Sequence, residues 1–586
     1  MTRIRKDLKT NLFTWKQTGL ILALFSVVGL GGCVPEKHPI PQNKSTHPLS
    51  EAVIQDWKNQ KFSMFIHFGL YSIPGGMWNG QQITIGYSEQ IRAHGKIPKA
   101  DYRKLAAAFN PTNWNPDSIA LLAKSAGMRS IVITAKHHDG FALFKTKYSS
   151  FNSVDGTPYK RDLIDELAKA CKRHQLRFGV YFSLIDWDFD GALPISNHNS
   201  DSIPAAHHRM NMGQVEELMS NYGPISEIWF DMGKLSLEQS ADLAQLVRKL
   251  QPNCLISGRI WNDQGDFAVM GDNASPDFRM GTPWQTPASM FDETWGYRSW
   301  QIRKNPEGKA IEKLRILINT NGNGGNYLLN IGPMGDGAVV PFEKDVLKTM
   351  GTWIKKHEPA LKGKSLEGPL QPWGTLLKTN NSLHLFILKK PAGKSISVNG
   401  LMQNPIKATI LHHPEITIKT MTSLKGLELI VSKEDLKDIP IPVIQLDFDK
   451  EPELQPAGIL SINAINKPVL DQQNAIVYHS YSGKDYYSTK PTTIRLEWNL
   501  RCENELNSTL LLSVPENTIM LPIHLMVNTA EIRIDLSDAK TESGRKVQRI
   551  EGIRFKKGLN SIRIQSDNHS NPHKDLGLTG LTINLK

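Results

Sequence analysis

Between residues 51 and 358, short β-rich runs at 62–67, 130–134, 177–182, 226–230, 255–257 and 327–331 alternate with stretches of helical periodicity. That alternation calls for parallel strands joined by crossover helices. The helical stretches are marked at their ends: 116–126 follows Asn115, a capping residue, and stops at Gly127, while 163–174 and 237–250 repeat the apolar spacing. A span of this length built of repeated βα units fits a (β/α)8 barrel. A doubly wound sheet fits less well, because no Gly-rich phosphate fingerprint follows the first run. Six runs leave two strands unplaced, and the irregular stretch 265–297 is where they are expected.

After a helix-like 341–356 the texture changes. Short apolar runs at 385–388, 406–411, 415–418, 427–431 and 443–446, separated by turn residues, predict a β-sandwich over 359–450. Residues 451–458, with two prolines, read as a linker. Runs at 494–498, 510–513, 532–534 and 562–564 predict an additional β-rich accessory module over 459–586. The expected class is thus α/β: a (β/α)8-like barrel, then a C-terminal β-sandwich and a second β-rich module. With 40% hydrophobic and 22% charged residues in 586, the chain has apolar material for large cores, which excludes wholesale disorder, a collagen-like repeat and a disulfide-stapled miniprotein. The net charge of +12 is spread thinly, without a long Lys/Arg block or zinc-finger spacing, so no nucleic-acid partner is expected.

The N-terminus has its own logic. Arg3, Arg5, Lys6, Lys9 and Lys16 precede an uncharged apolar stretch, 20–30, that is shorter than the roughly 18–20 residues a spanning helix needs. It ends in Leu30-Gly31-Gly32-Cys33, the order of an export signal. The ending resembles the bacterial lipobox, in which the cysteine is lipidated and becomes the first residue. Residues 1–33 are therefore expected to be a lipoprotein-type signal, 34–50 a flexible tether, and the protein exported to the periplasm or outer membrane, touching the membrane only through its anchor at Cys33. The remaining cysteines, Cys171, Cys254 and Cys502, are too few and too widely spaced for a disulfide framework or a Cys-based metal site.

In a (β/α)8 barrel the working side chains sit at the C-terminal strand ends. Polar and aromatic residues collect just there: His67-Phe68-Gly69, Lys136-His137-His138-Asp139-Gly140, Tyr181-Phe182-Ser183, Asp231 and Arg259. A carboxylate closing the apolar run Ile228-Trp229-Phe230-Asp231 is costly to bury, and the role of nucleophile or electrostatic stabiliser would keep it there. An ion-paired structural aspartate is the alternative. Arg259, at the next strand end, could hold it ionised. His67, His137 and His138 suggest a metal, but no HExxH motif or 2-His-1-carboxylate spacing accompanies them, and neighbouring strand residues face opposite ways. Hydrogen bonding to several hydroxyls is the preferred reading, with core histidines as the plain one. Trp78, Tyr87, Tyr181, Trp187, Trp229, Trp284, Trp295 and Tyr297 would give apolar platforms for sugar faces, although many aromatics simply fill cores. Gly86-Tyr87-Ser88-Glu89-Gln90 lacks the second glycine of a serine-hydrolase elbow.

These segments resemble one family, the α-L-fucosidases of glycoside hydrolase family 29. Phe65-Ile66-His67-Phe68-Gly69, Lys136-His137-His138-Asp139-Gly140-Phe141, Arg161-Asp162-Leu163, Asn221-Tyr222-Gly223 with Ile228-Trp229-Phe230-Asp231, Thr294-Trp295-Gly296-Tyr297 and Asn326-Tyr327-Leu328-Leu329-Asn330-Ile331-Gly332-Pro333 occur in family order. The resemblance implies a retaining exo-hydrolase of fucosylated glycans that needs no cofactor. It implies Asp231 as nucleophile, with His67, His137, His138, Tyr181 and Arg259 around the terminal fucose. A second carboxyl group, about 5–5.5 Å away, would protonate the leaving oxygen and then activate water.

The acid/base is where the chain departs from the family pattern. Relatives place a glutamate in a Trp-Glu pair ahead of Trp-Gly-Tyr, and here the pair is Trp284-Gln285. Glu293 is the nearest substitute, with Asp277 and Asp292 behind it. A Glu-Trp-Tyr used by some relatives is represented at best by Gly86-Tyr87, with Trp78 or Glu89 as stand-ins, and Trp295 completes the expected sugar site. An α-L-galactosidase of the same family and a non-catalytic sugar-binding protein on a degenerate barrel are the alternatives. In the last module Tyr478, Tyr481, Tyr486 or Tyr487 could touch carbohydrate, or the module is a plain accessory domain.

Overall fold

The computed structural model describes residues 49–585 except 196–200, 275, 277–278, 281, 367, 369–370, 424–425, 455–459, 464–467, 472–474, 481–491, 517–522 and 567–579. Cys33, the signal segment, most of the tether, Asp277, Tyr481, Tyr486 and Tyr487 lie outside the described residues.

Eight parallel strands form the first part: β1 (Phe62–Ile66), β2 (Ser130–Lys136), β3 (Arg177–Ser183), β4 (Glu227–Asp231), β5 (Leu255–Ile256), β6 (Ala268–Val269), β7 (Trp284–Ala288) and β8 (Asn326–Ile331). Each pairs with its neighbour in sequence, and β8 returns to β1. A parallel bridge between Ser257 and Phe267, just past β5 and just before β6, closes the ring. β6 and β7 are the two strands expected within 265–297.

The helices follow their sequence signals. α1 (Glu51–Lys58) precedes β1, and α2 (Pro116–Ser125) starts at Asn115, whose side chain accepts from Ser118 N at 2.9 Å. Then come α3 (Leu163–Arg173), α4 (Ala205–Asn221), α5 (Leu237–Leu250), α6 (Pro306–Gly322) and α7 (Pro341–Lys356). Ser236 and Gln239 form a reciprocal capping box at the start of α5.

Strand alternation separates two apolar layers. Met64, Ile66, Ile131, Ile133, Val180, Phe182, Ile228 and Phe230 belong to the core that includes the helices, whereas Phe65, Val132, Tyr181, Trp229 and Leu328 fill the barrel interior. Trp57 of α1 plugs the bottom, its ring tilted against Phe267 at 4.5 Å, with its indole N–H donating to Glu227 at 2.9 Å. The packed interior leaves the site to the upper rim.

Beyond the barrel, a five-stranded sheet containing Gly374–Thr379, Ser382–Ile387 and Val443–Asp447 faces a three-stranded sheet of Ser395–Asn399, Gly426–Ile430 and Lys419–Ser423 around a shared core. The strand expected at 415–418 instead begins at Lys419: 415–416 are in a turn, and the hairpin with Gly426–Ile430 sets the register from the other side. The final part holds two further, mainly antiparallel sheets with the long strands Thr492–Cys502, Leu506–Pro515, Arg545–Phe555 and Gly558–Ser566. Tyr478 lies in the strand Ile476–Ser480. Cys171, Cys254 and Cys502 are buried free thiols.

Candidate active site

The rim of the barrel opens into a cleft of about 420 Å³ including its mouth, and its walls come from the C-terminal ends of the strands. β4 sends Glu227, Trp229 and Asp231 inward at successive levels. Its last residue meets the cleft, and Met232, which also lines it, takes the left-handed conformation (φ 62°). A non-glycine held there stores strain of the kind found where a side chain must be aimed.

Asp231 is buried, and both of its oxygens are engaged. Tyr181 of β3 donates its hydroxyl to Oδ2 at 2.6 Å, and Arg259, in a turn just past β5, donates Nη1 to Oδ1 at 2.8 Å. Burial alone would raise the carboxyl's pKa. The Arg259 charge and the Tyr181 hydrogen bond outweigh it and hold the carboxyl below its ordinary value. Arg259 lies over the Trp229 ring at 5.0 Å and reaches on to Asp272, Nη2 to Oδ1 at 2.6 Å.

The three histidines do converge, because the chain leaves β2 and turns sharply at Gly140. That glycine has φ +84°, and a Cβ there would meet Asp186 Oδ1 at 2.2 Å. The rings of His137 and His138 lie 3.8 Å apart, and His67 stands 5.5 Å from His137 and 5.2 Å from Trp295. Burial keeps all three neutral: it lowers His67 to about 3 and His138 to about 4, and takes His137 well below its ordinary value. Their partners fix two tautomers. Asn330 donates Nδ2 to Trp295 O at 2.7 Å, so its oxygen faces His67 Nδ1 at 2.7 Å, and that nitrogen carries the proton. Ser183 donates to Ile185 O at 2.8 Å and therefore accepts from His138 Nδ1 at 2.8 Å. Each ring is left with Nε2 as an acceptor, suited to a hydroxyl. Among the described residues no group of three or more His, Cys, Asp or Glu side chains could hold a metal ion.

The rest of the Lys136–Gly140 segment is scaffold. Lys136 is buried against Asp186 (3.3 Å) and Asn211 (3.2 Å), and Asp139 accepts from Tyr102 at 2.7 Å.

Of the sequence candidates, the structure brings Asp231, Arg259, Tyr181, His67, His137, His138, Tyr87 and Trp295 to one cleft. Trp78 is half-buried on a small hairpin with Gln81–Gln82 and is not among the lining residues. Trp284 belongs to a small cluster with Ala268 and Met270. Gln285 is buried in the barrel, where it accepts from the Trp229 indole at 2.7 Å and donates to Glu227 at 3.3 Å.

Glu293 does not reach the cleft either. Phe291 and Thr294 bridge across a tight turn, so Asp292 and Glu293 sit exposed at its tip while Thr294 and Trp295 fold back inside. Among the described residues, the carboxyls that line the cleft with Asp231 are Glu89 and Asp272. Glu89 Oε2 accepts from Gly296 N at 2.8 Å and Trp295 N at 3.2 Å, which ties the 86–90 loop to the Trp295 turn. Burial pushes its carboxyl up to about 7. Asp272 carried no signal in the sequence, since the loop after β6 has neither periodicity nor motif. Only its charge at the end of a very short strand could have pointed to it.

An ionised carboxylate below a cluster of neutral imidazoles and aromatic faces, on the rim of a (β/α)8 barrel, is the site of a glycoside hydrolase. The chain belongs to the α-L-fucosidase family, which matches residues 33–359. It is 28% identical over 483 residues to the tissue α-L-fucosidase of Rattus norvegicus, covering 76% of this chain and 97% of the relative. A family 29 α-L-fucosidase from Bacteroides thetaiotaomicron, solved as a trapped covalent intermediate with 2-fluoro-fucosyl fluoride, is 25% identical, with a TM-score of 0.62 over 70% of this chain and 99% of that one. The fold of the α-L-fucosidase from Vibrio sp. strain EJY3 extends over 92% of this chain and 98% of that one, at 23% identity and a TM-score of 0.64.

Proposed function

We propose that this protein hydrolyses terminal α-L-fucosyl residues of glycans with retention of configuration, through a fucosyl ester on Asp231. The observation that carries the reading is the state of Asp231: a buried carboxylate kept ionised by Arg259 and aimed by Tyr181, at the base of a cleft lined by three histidines and aromatic rings. A nucleophile must be anionic at working pH, and its partners supply that. His67 and His138 would accept from sugar hydroxyls through Nε2, His137 and Tyr87 would add polar contacts, and Trp295 would face the ring. The covalent step needs Asp231 as leaving group in the second half-reaction, and the Arg259 charge that stabilises the free carboxylate assists that departure.

The test is trapping with 2-deoxy-2-fluoro-α-L-fucosyl fluoride followed by peptide mapping. The adduct is expected on the peptide containing Asp231, and NMR of the first product should show the α-anomer. An adduct elsewhere, or a β-product, overturns the assignment.

The leader supports a second proposal, that Cys33 carries lipid and holds the enzyme at a bacterial membrane. Cys33→Ser should move the protein from the membrane fraction to the soluble one and abolish palmitate labelling. Unchanged fractionation refutes it.

A further inference from the structure

We propose that Asp272 is the acid/base of this site, the carboxyl group that protonates the glycosidic oxygen and then deprotonates water. The assignment rests on the reading of Asp231 as nucleophile and adds the partner that a retaining mechanism needs.

Three observations select Asp272. First, it shares a cation with the nucleophile: Arg259 donates Nη1 to Asp231 Oδ1 at 2.8 Å and Nη2 to Asp272 Oδ1 at 2.6 Å. Two carboxylates on the two terminal nitrogens of one rigid guanidinium are held on the scale of the ~5–5.5 Å separation of retaining glycosidases. Second, it meets solvent. The Asp272 side chain is 29% exposed, on the loop that follows β6 at the mouth of the cleft. An acid/base must face the departing group and exchange its proton with water once per turnover. Third, the competing carboxyls are placed for other work. Glu89 is 1% exposed, with Oε2 committed to the backbone of Trp295 and Gly296, and Glu293 stands outside the cleft lining.

Charge balance points the same way. Asp231 and Asp272 against Arg259 leave one net negative charge, which a single proton removes. Arg259 and Tyr181 both hold Asp231 as the anion that attacks, which leaves the donor's part to Asp272. In the first half-reaction Asp231 Oδ bonds to the anomeric carbon, the bond from that carbon to the aglycone oxygen breaks, and the oxygen takes the proton from Asp272. In the second, a water oxygen bonds to the anomeric carbon, its proton passes to Asp272, and the ester electrons return to Asp231.

Azide product stereochemistry tests this on the full-length protein. Asp272→Ala should cut kcat/KM on a fucosyl disaccharide by about 10²–10⁴ fold, with a much smaller loss on a nitrophenyl fucoside, whose leaving group needs no proton. Azide should then restore turnover by attacking the glycosyl-enzyme, giving α-L-fucosyl azide. The basic limb of the pH–rate profile should vanish in Asp272→Asn as well, and unchanged thermal unfolding of both variants separates loss of the proton donor from misfolding. Equal losses on the two substrates, or α-azide formation by Glu89→Ala or Glu293→Ala in place of Asp272→Ala, overturns the assignment. Asp231→Ala is read separately: azide should give it β-L-fucosyl azide, and wild-type hydrolysis by that variant refutes the nucleophile and not the choice of Asp272.

Discussion

The two groups that hold Asp231 differ in kind: Arg259 is a charge, and Tyr181 a neutral donor at 2.6 Å. Removing the donor leaves the cation in place, so Tyr181→Phe should keep the ester-forming step but raise the carboxyl's pKa. The acid limb of kcat/KM is then expected to move to higher pH, with a loss of about 10-fold at neutral pH, the worth of one charge-assisted hydrogen bond. An acid limb that stays put would show that the hydroxyl serves the sugar and not the carboxylate. A second buried carboxyl behaves in the opposite sense. Glu227 lies under the site, takes the Trp57 and Gln285 donors on Oε2, and has no partner for Oε1 among the described residues. Burial raises it from 4.5 to about 7, so the folded chain keeps a proton that the unfolded chain has lost across that window. Stability should therefore fall as pH rises from about 4.5 to about 7 and stay lowered above it. Glu227→Gln escapes this cost. Its melting temperature should gain on the wild type across the window, and a gap independent of pH would rule Glu227 out as the group. Asp231, Arg259 and the histidines were legible in the sequence because each closes an apolar run, where the barrel geometry makes a polar residue conspicuous. Glu293 lies outside the cleft: proximity in sequence to Trp295 says nothing about which side of a tight turn a side chain takes.

At the level of elements, the barrel's weak seam is the junction of β5 and β6, two strands of two residues each, joined through Ser257 and Phe267. A buried ion pair reinforces it. Arg248 of α5 grips Asp266 at 2.7 and 2.6 Å, and the same carboxylate accepts from Ile256 N of β5 at 2.8 Å. Asp266→Ala strands a largely buried guanidinium and frees a strand N–H, so a loss of about 3–5 kcal/mol in denaturant titration is expected. A loss below about 1 kcal/mol would place the pair with surface salt bridges and the closure elsewhere. The same seam explains what the sequence concealed. Two residues cannot display alternation, and β7 contains Pro287, which reads against a central strand because it cannot donate to a ladder. Its donor is not missed: β6 pairs only with Trp284 and Gln285, so nothing on that side asks Pro287 for an N–H. β1 to β4, β8 and the Asn115 cap were legible because their periods and end signals are local.

At the scale of the whole molecule, the parts after the barrel are tied to their neighbours differently. Leu377, Phe386, Ile441 and Val443 of the sandwich lie in the same continuous core as the barrel strands and helices. Arg315 of α6 donates to the backbone of Leu388 and Pro440, and Lys61, just before β1, to that of Leu361 and Gly363. A chain ending at 358 would leave that apolar face and those cations without their partners, and should aggregate. The last module is built around its own apolar cluster, with Leu496, Trp498, Leu510, Leu512, Ile562 and Ile564. A cluster that closes on itself needs no barrel to bury it. A chain ending at Gly458 is therefore expected to fold and to hydrolyse an aryl fucoside with the kcat/KM of the full chain, since none of the described cleft residues comes from beyond α7. Loss of soluble protein on that truncation would show that the module's surface completes the barrel. If the truncated chain stays active, its retention on a fucosylated polymer isolates what residues 459–586 add: weaker retention at equal kcat/KM assigns them to carrying the enzyme to its glycan, and equal retention to none of the sugar contact.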